Sequence, residues 1–224
     1  MLKAIIFDMD GVLIDSEPVH LEAHKRLMKK LRLPFSEQYH SQFVGSTTDN
    51  MWKIMRRDFN ITFSDDELMK ISDEFIKEIN GPDGYPVMAG AAVLIKKLSK
   101  AGLKLAVASS SGIERIEKSI EKLGANGLFD VVVSGINVAH PKPAPDTFLE
   151  AAEKLGVLPS ECIVIEDSLN GMKAAKNAEM ICVMYENTNI GEVSNEFADY
   201  ILQGFEDVDE NFFKMVYAHT VGEP

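Results

Sequence analysis

The stretch Ala4-Ile5-Ile6-Phe7-Asp8-Met9-Asp10-Gly11 decides the fold. An uninterrupted apolar run of strand length is followed at once by two carboxylates and a glycine. Continuous apolar character points to a strand covered on both faces, as in a parallel sheet, and Gly11 permits the tight backbone path that ends it. Four further runs read the same way: Leu103 to Ala108, Val131 to Val133, Cys162 to Ile165 and Ile181 to Met184. Helical patterns lie between them, at Ala91 to Lys100, Ile113 to Leu123, Pro145 to Leu155 and Leu169 to Ala178. Gly102, Gly124 and Gly156 follow the first three, where a helix commonly stops. Strand and helix alternate, which predicts an α/β fold built on a doubly wound parallel sheet.

The region from about Glu17 to Gly84 breaks the alternation. It carries helical patterns at Val19 to Leu31, Thr48 to Phe59 and Asp65 to Ile79, and no strand run. The expected organisation is a Rossmann-like core of residues 1–16 and 85–224 with an inserted helical cap of residues 17–84. Pro18 and the loop from Asn80 to Pro86 would be its connections. An insertion directly after the first strand overhangs the carboxyl edge of the sheet, where open α/β folds bind ligands. Met51, Trp52, Met55 and Phe59 have the helical spacing of cap core. A last helix and a frayed end are expected from Asn211 to Pro224.

With 224 residues, 46% of them hydrophobic, the chain can bury one substantial core and a second small one. Its 35 acidic against 23 basic residues give a formal charge of −12, and no basic block suggests a nucleic-acid or membrane partner. The apolar run at the N-terminus is too short for a signal peptide and nothing downstream approaches a membrane span, so a cytoplasmic location is expected. Cys162 and Cys182 sit in apolar runs and read as buried thiols. No long exposed apolar helix stands out, which favours a monomer.

Glu166-Asp167 ends its strand as Asp8 and Asp10 end theirs. If the two strands are neighbours, these carboxylates converge and raise one another's pKa unless a cation joins them. Mg²⁺ suits such a set, because it takes few oxygen ligands and keeps positions for water and phosphate. No EF-hand spacing supports calcium.

Four motifs in order carry a resemblance: Phe7 to Ser16, Ala108-Ser109-Ser110-Ser111, Pro141-Lys142-Pro143-Ala144-Pro145-Asp146, and Ile165-Glu166-Asp167-Ser168. Together they resemble the haloacid-dehalogenase superfamily, in the branch of beta-phosphoglucomutase and the sugar-phosphate phosphatases, over essentially the whole chain. The resemblance implies that Asp8 is a nucleophile forming an aspartyl-phosphate and Asp10 the general acid and base. It implies Mg²⁺ bound by Asp8, by Asp10 through its backbone carbonyl and by Asp167, with Glu166 contributing directly or through water. Ser109 would hold phosphate oxygens with nearby backbone N–H groups, and Lys142 would neutralise phosphate and nucleophile. Asp146 reads as a helix-start residue.

By the same resemblance the insert is a mobile cap that closes over a small phosphate ester. Gly11, His20, Gly45, Thr47, Thr48, Ser110 and Asn170 are the expected substrate-facing residues. His20 matches a cap histidine that assists proton transfer in the mutase; His24, one turn later, reads as surface. The mutase has an arginine at the position of Thr48, where it would grip the second phosphate of a sugar bisphosphate, and a lysine at that of Gly112. Their absence favours a phosphatase. A phosphomutase, and a non-catalytic phospho-acceptor like a response-regulator receiver domain, stay as alternatives.

Overall fold

A computed structural model describes residues 1–81, 84–188 and 193–222 of the chain. One parallel sheet holds β1 (Ala4–Phe7), β2 (Lys104–Ser109), β3 (Val131–Ser134), β4 (Cys162–Glu166), β5 (Ile181–Tyr185) and β6 (Tyr200–Leu202), in the order β3-β2-β1-β4-β5-β6. The strand order departs in opposite directions from β1 and β4, so the switch point of this doubly wound sheet lies between them. The first five strands occupy the expected runs. β6 is an addition: Tyr200 and Ile201 are exposed, and three residues are too few to show a period.

Strand side chains alternate between two apolar layers. Ile5, Phe7, Leu105, Val107, Ile163 and Ile165 face α5 (Ala91–Lys100), α6 (Ile113–Lys122) and α9 (Glu210–Val221). Ala4, Ile6, Ala106, Ala108, Cys162 and Val164 face α7 (Asp146–Leu155) and α8 (Leu169–Asn177). Each large aliphatic side chain so buried contributes about 1.5–3 kcal/mol. Cys162 and Cys182 are free, buried thiols, as expected.

Between β1 and α5 the chain forms α1 (Glu17–Lys30), α2 (Glu37–Ser41), α3 (Thr48–Phe59) and α4 (Asp65–Asn80), with α1 packed on α4. This insert has its own apolar cluster of Leu27, Met28, Phe43, Trp52, Met55 and Leu68, with Met51 and Phe59 partly buried against it. Ser36, Thr47 and Ser64 cap α2, α3 and α4 through side-chain oxygens, and Ser64 and Glu67 complete a capping box. The short α2 has no room to display helical periodicity. Where the insert meets the sheet, Asp15 N–H donates to Pro86 O (2.9 Å) and Ile14 bridges Val87, so the outgoing and returning segments lie side by side. Pro82 and Asp83 of the expected return loop lie outside the described residues. Among the described residues no helix is long and apolar enough to cross a membrane.

Candidate active site

Register explains why distant carboxylates meet. Phe7 is level with Val107 of β2 and Ile165 of β4. The next residue, Asp8, therefore leaves the sheet between Ala108 and Glu166, its N–H donating to Ile165 O at 2.9 Å. Lys142 comes from the loop after β3, is only 1% exposed, and donates from Nζ to Asp8 Oδ1 (2.6 Å), Glu166 Oε1 (2.9 Å) and Ala108 O (3.2 Å). The Phe148 ring centroid lies 4.4 Å from Nζ, facing the ammonium. Burial opposes the lysine's charge, but Asp8 and Glu166 outweigh it and push its pKa up.

Glu166 is fully buried, and its Oε2 accepts from Ser168 N–H (2.7 Å) and Ser168 Oγ–H (2.9 Å). Both of its oxygens are thus engaged by protein donors, where the sequence reading expects it to contribute to a metal. Asp167 is 1% exposed and makes no ion pair among the described residues; Asn187 Nδ2 donates to its Oδ2 at 3.2 Å and to Gly11 O at 3.1 Å. Gly11 has φ +77, and a Cβ there would stand 1.7 Å from Asp167 Oδ2, so glycine is what lets the turn press against this carboxylate. Asp8 Oδ2 has no protein donor among the described residues.

Charge in this pocket is poorly balanced. Burial pushes Asp8 up to about 7 despite Lys142, pushes Asp167 well above the carboxylate range, and raises Glu17 to about 8. Asp8 Oδ2, with no protein donor among the described residues, and Asp167, with no ion pair there, fit a hard divalent cation held by Asp8, Asp167 and the Asp10 carbonyl. Among the described residues no three His, Cys, Asp or Glu side chains gather as a metal site, and this donor set, with its carbonyl, does not require three.

Asp10 is different. Ser16 Oγ (2.5 Å) and Arg115 Nη2 (2.5 Å) donate to its Oδ1, and Ser111 Oγ donates to its Oδ2 at 2.8 Å. Burial works to raise its pKa, but Arg115 and the hydrogen bonds from Ser16 and Ser111 hold it below the usual range. Ser109, at the end of β2, is 1% exposed and its Oγ accepts from Ser111 N–H at 3.1 Å.

The insert closes over this edge and leaves a cavity of about 510 Å³ between itself and the sheet. Asp8, Asp10, His20, Gly45, Thr47, Thr48, Ser109 and Ser110 line it; Lys142, Glu166, Asp167 and Asn170 do not. Two expected substrate residues, Ser110 and Asn170, also hold the insert down, and Thr47 caps a helix within it. Ser110 Oγ donates to Gly45 O (2.9 Å), Asn170 Nδ2 donates to Val44 O (3.0 Å) and Gln42 O (3.2 Å), and Thr47 accepts from Asn50 N–H as the cap of α3. Thr48 stands exposed in the first turn of α3. His24 is not a surface residue: it is 5% exposed, packed against Phe35 and Phe43, with Nδ1 2.8 Å from His40 Nδ1. An i, i+4 step from His20 along α1 points back to the same covered face.

Arg115, Ser16, Ser111, Glu17, Tyr85 and Asn187 have no role in the sequence reading yet belong to the site. The step of four from Ser111 to Arg115 across a helix start, and the place of Asn187 just past β5, are the signals that would have found two of them.

The family model for haloacid dehalogenase-like hydrolases matches residues 5–185. The chain is 32% identical to fructose-1-phosphate phosphatase of Escherichia coli, over 80% of this chain and 94% of that one. It is 31% identical to a phosphorylated carbohydrates phosphatase of Thermotoga maritima, over 79% and 82%. A beta-phosphoglucomutase of Clostridium difficile has the same fold, with a TM-score of 0.84 at 21% identity over 99% of this chain and 100% of that one. The chain thus belongs to the haloacid dehalogenase-like hydrolases, in the branch of the phosphatases and beta-phosphoglucomutase-like enzymes.

Proposed function

We propose that this enzyme is a Mg²⁺-dependent phosphatase that hydrolyses a small phosphate monoester, a sugar phosphate above all, through an aspartyl-phosphate on Asp8. The observation that carries the reading is the buried array of Asp8, Lys142, Glu166 and Asp167 at one sheet edge, with Lys142 Nζ 2.6 Å from Asp8 Oδ1. Lys142 orients the nucleophile and offsets its repulsion from an incoming phosphate; Glu166 fixes the lysine. Asp8 attacks phosphorus, the ester P–O bond breaks, and the departing alkoxide takes a proton from Asp10, which must enter this step protonated although Arg115 beside it favours the carboxylate in the resting site. Water then attacks the aspartyl-phosphate, Asp10 takes a proton from it, and the bond to Asp8 breaks to release phosphate. A Mg²⁺ ion held by Asp8, Asp167 and the Asp10 carbonyl would supply charge neutralisation at the phosphoryl oxygens.

Relatives named for fructose 1-phosphate and for phosphorylated carbohydrates support a sugar phosphate, and a cavity of about 510 Å³ suits a ligand of that size. Thr48 and Gly112 line the cavity without charge, which supports hydrolysis of a monophosphate over a mutase that must grip a second phosphate. Phosphate release from sugar phosphates, nucleotides and p-nitrophenyl phosphate, with Mg²⁺ or EDTA, tests the reading. Metal-dependent release that Asp8→Asn loses is expected; release that survives EDTA or that substitution would overturn the mechanism.

A further inference from the structure

Arg115 is the only lysine or arginine among the described residues that line the cavity, and every group it touches is part of the acid and base side of the site. It stands in the first turn of α6. Nη1 donates to Ser111 Oγ at 2.7 Å, and Nη2 approaches both Asp10 Oδ1 (2.5 Å) and His20 Nε2 (2.9 Å). Its Cζ lies 4.7 Å from the centroid of the Tyr85 ring, which fixes the plane of the guanidinium. A single nitrogen of the core therefore joins the Asp10 carboxylate to an imidazole carried by α1 of the insert.

The chemistry of that contact is restrictive. Arginine has donors and no acceptor and stays charged. Nη2 at 2.9 Å from His20 Nε2 thus requires a lone pair on Nε2, which puts the imidazole in its neutral form with the proton on Nδ1. Burial and the neighbouring guanidinium also depress the pKa of His20, to about 3. In that tautomer His20 has no Nε2 proton to offer a leaving group.

We propose that Arg115 is a positioning residue: it fixes His20 as an Nε2 acceptor and holds the Asp10 carboxylate in place, so that the acid/base is aligned by the same contact that seats the insert. The inference rests on the phosphatase reading for its kinetic consequence and on the hydrogen-bond geometry alone for the tautomer.

Two measurements on the whole chain test it. Two-bond ¹H–¹⁵N correlation spectra of the histidine rings at neutral pH should show His20 with its proton on Nδ1 in the wild type. In Arg115→Met it should shift toward the Nε2–H form that unconstrained imidazole prefers. In kinetics, Arg115→Met should lower kcat/KM for a hexose monophosphate at least about tenfold more than for p-nitrophenyl phosphate, because nitrophenolate departs without needing a proton. An Nε2–H tautomer in the wild type overturns the proposal whatever the activity or the folding of the variant. Equal losses on both esters overturn it too, since they mark a merely structural or binding role. If the wild type hydrolyses no ester, the phosphatase reading fails, and the ring spectra still decide whether Arg115 sets His20.

Discussion

At the scale of single residues, Asp8 and Lys142 are linked by burial as much as by chemistry. Asp8→Asn should lower phosphate release by more than about three orders of magnitude, since an amide is no nucleophile here. It should not lower the melting temperature at pH 8, because burial already pushes the Asp8 carboxyl up to about 7 and its charge is unfavourable there. Lys142→Met is predicted to behave oppositely. It leaves Asp8 and Glu166 buried without their amine, a loss of about 3–5 kcal/mol that thermal or urea unfolding would register. A Lys142→Met protein as stable as the wild type would show that the array is not a coupled buried pair. The places of Asp8, Asp10, Ser109 and Asp167 at strand ends were legible in the sequence, and the family resemblance singled out Lys142 in its Pro-bounded loop. Arg115 was not legible, because its partner Asp10 comes from a segment far away in the chain, and only the fold brings the two together.

At the scale of elements, the contact between the insert and the core turns on Gly45. Its φ is +75, and a Cβ there would stand 2.0 Å from Ser168 Oγ, so the loop before α3 can lie on the start of α8 only as glycine. Gly45→Ala should cost more than about 1 kcal/mol through backbone strain and should lift the insert, raising KM for any ester whose leaving group it covers. Removing Ser110 Oγ and Asn170 Nδ2 together by alanine substitution takes away three hydrogen bonds to the same loop without touching strain. At roughly 0.5–1.5 kcal/mol for each, kcat/KM should fall at least about tenfold while the far-ultraviolet circular dichroism stays unchanged. An unaltered kcat/KM would show that these bonds do not govern closure. The strands and long helices were readable because apolar period and stop residues agree with tertiary burial. The elements missed are α2 and β6, both too short to carry a period, and β6 half exposed at the sheet edge. Ser110, Thr47 and Asn170 were placed at the right end of the sheet, but their hydrogen-bond partners were not legible, since a motif fixes position along the chain and not which neighbour takes the hydrogen bond.

For the whole molecule, the titrations predict a stability that declines above about pH 6.5 when the cation is withheld. His20 and His24 are depressed to about 3 and His40 to about 4, chiefly by burial. Below their unfolded pKa of about 6.5 the unfolded chain binds protons that the folded one refuses, so these groups make stability rise with pH up to that point. Asp8 at about 7 and Glu17 at about 8 act in the other direction. Between about pH 4 and those values the folded chain keeps protons that the unfolded chain has lost, so stability falls as pH rises. The two sets oppose each other below about 6.5, and above it only the carboxylates still act. In EDTA the melting temperature should therefore decline from pH 6.5 to pH 8. Mg²⁺, by taking the place of protons on Asp8 and Asp167, should raise it more at pH 8 than at pH 5.5. Asp8→Asn should flatten the decline and weaken the response to Mg²⁺. A melting temperature that is level or rising from pH 6.5 to 8 in EDTA would mean that the buried carboxylates are already balanced by the protein alone, and the electrostatic case for a resident cation would be lost.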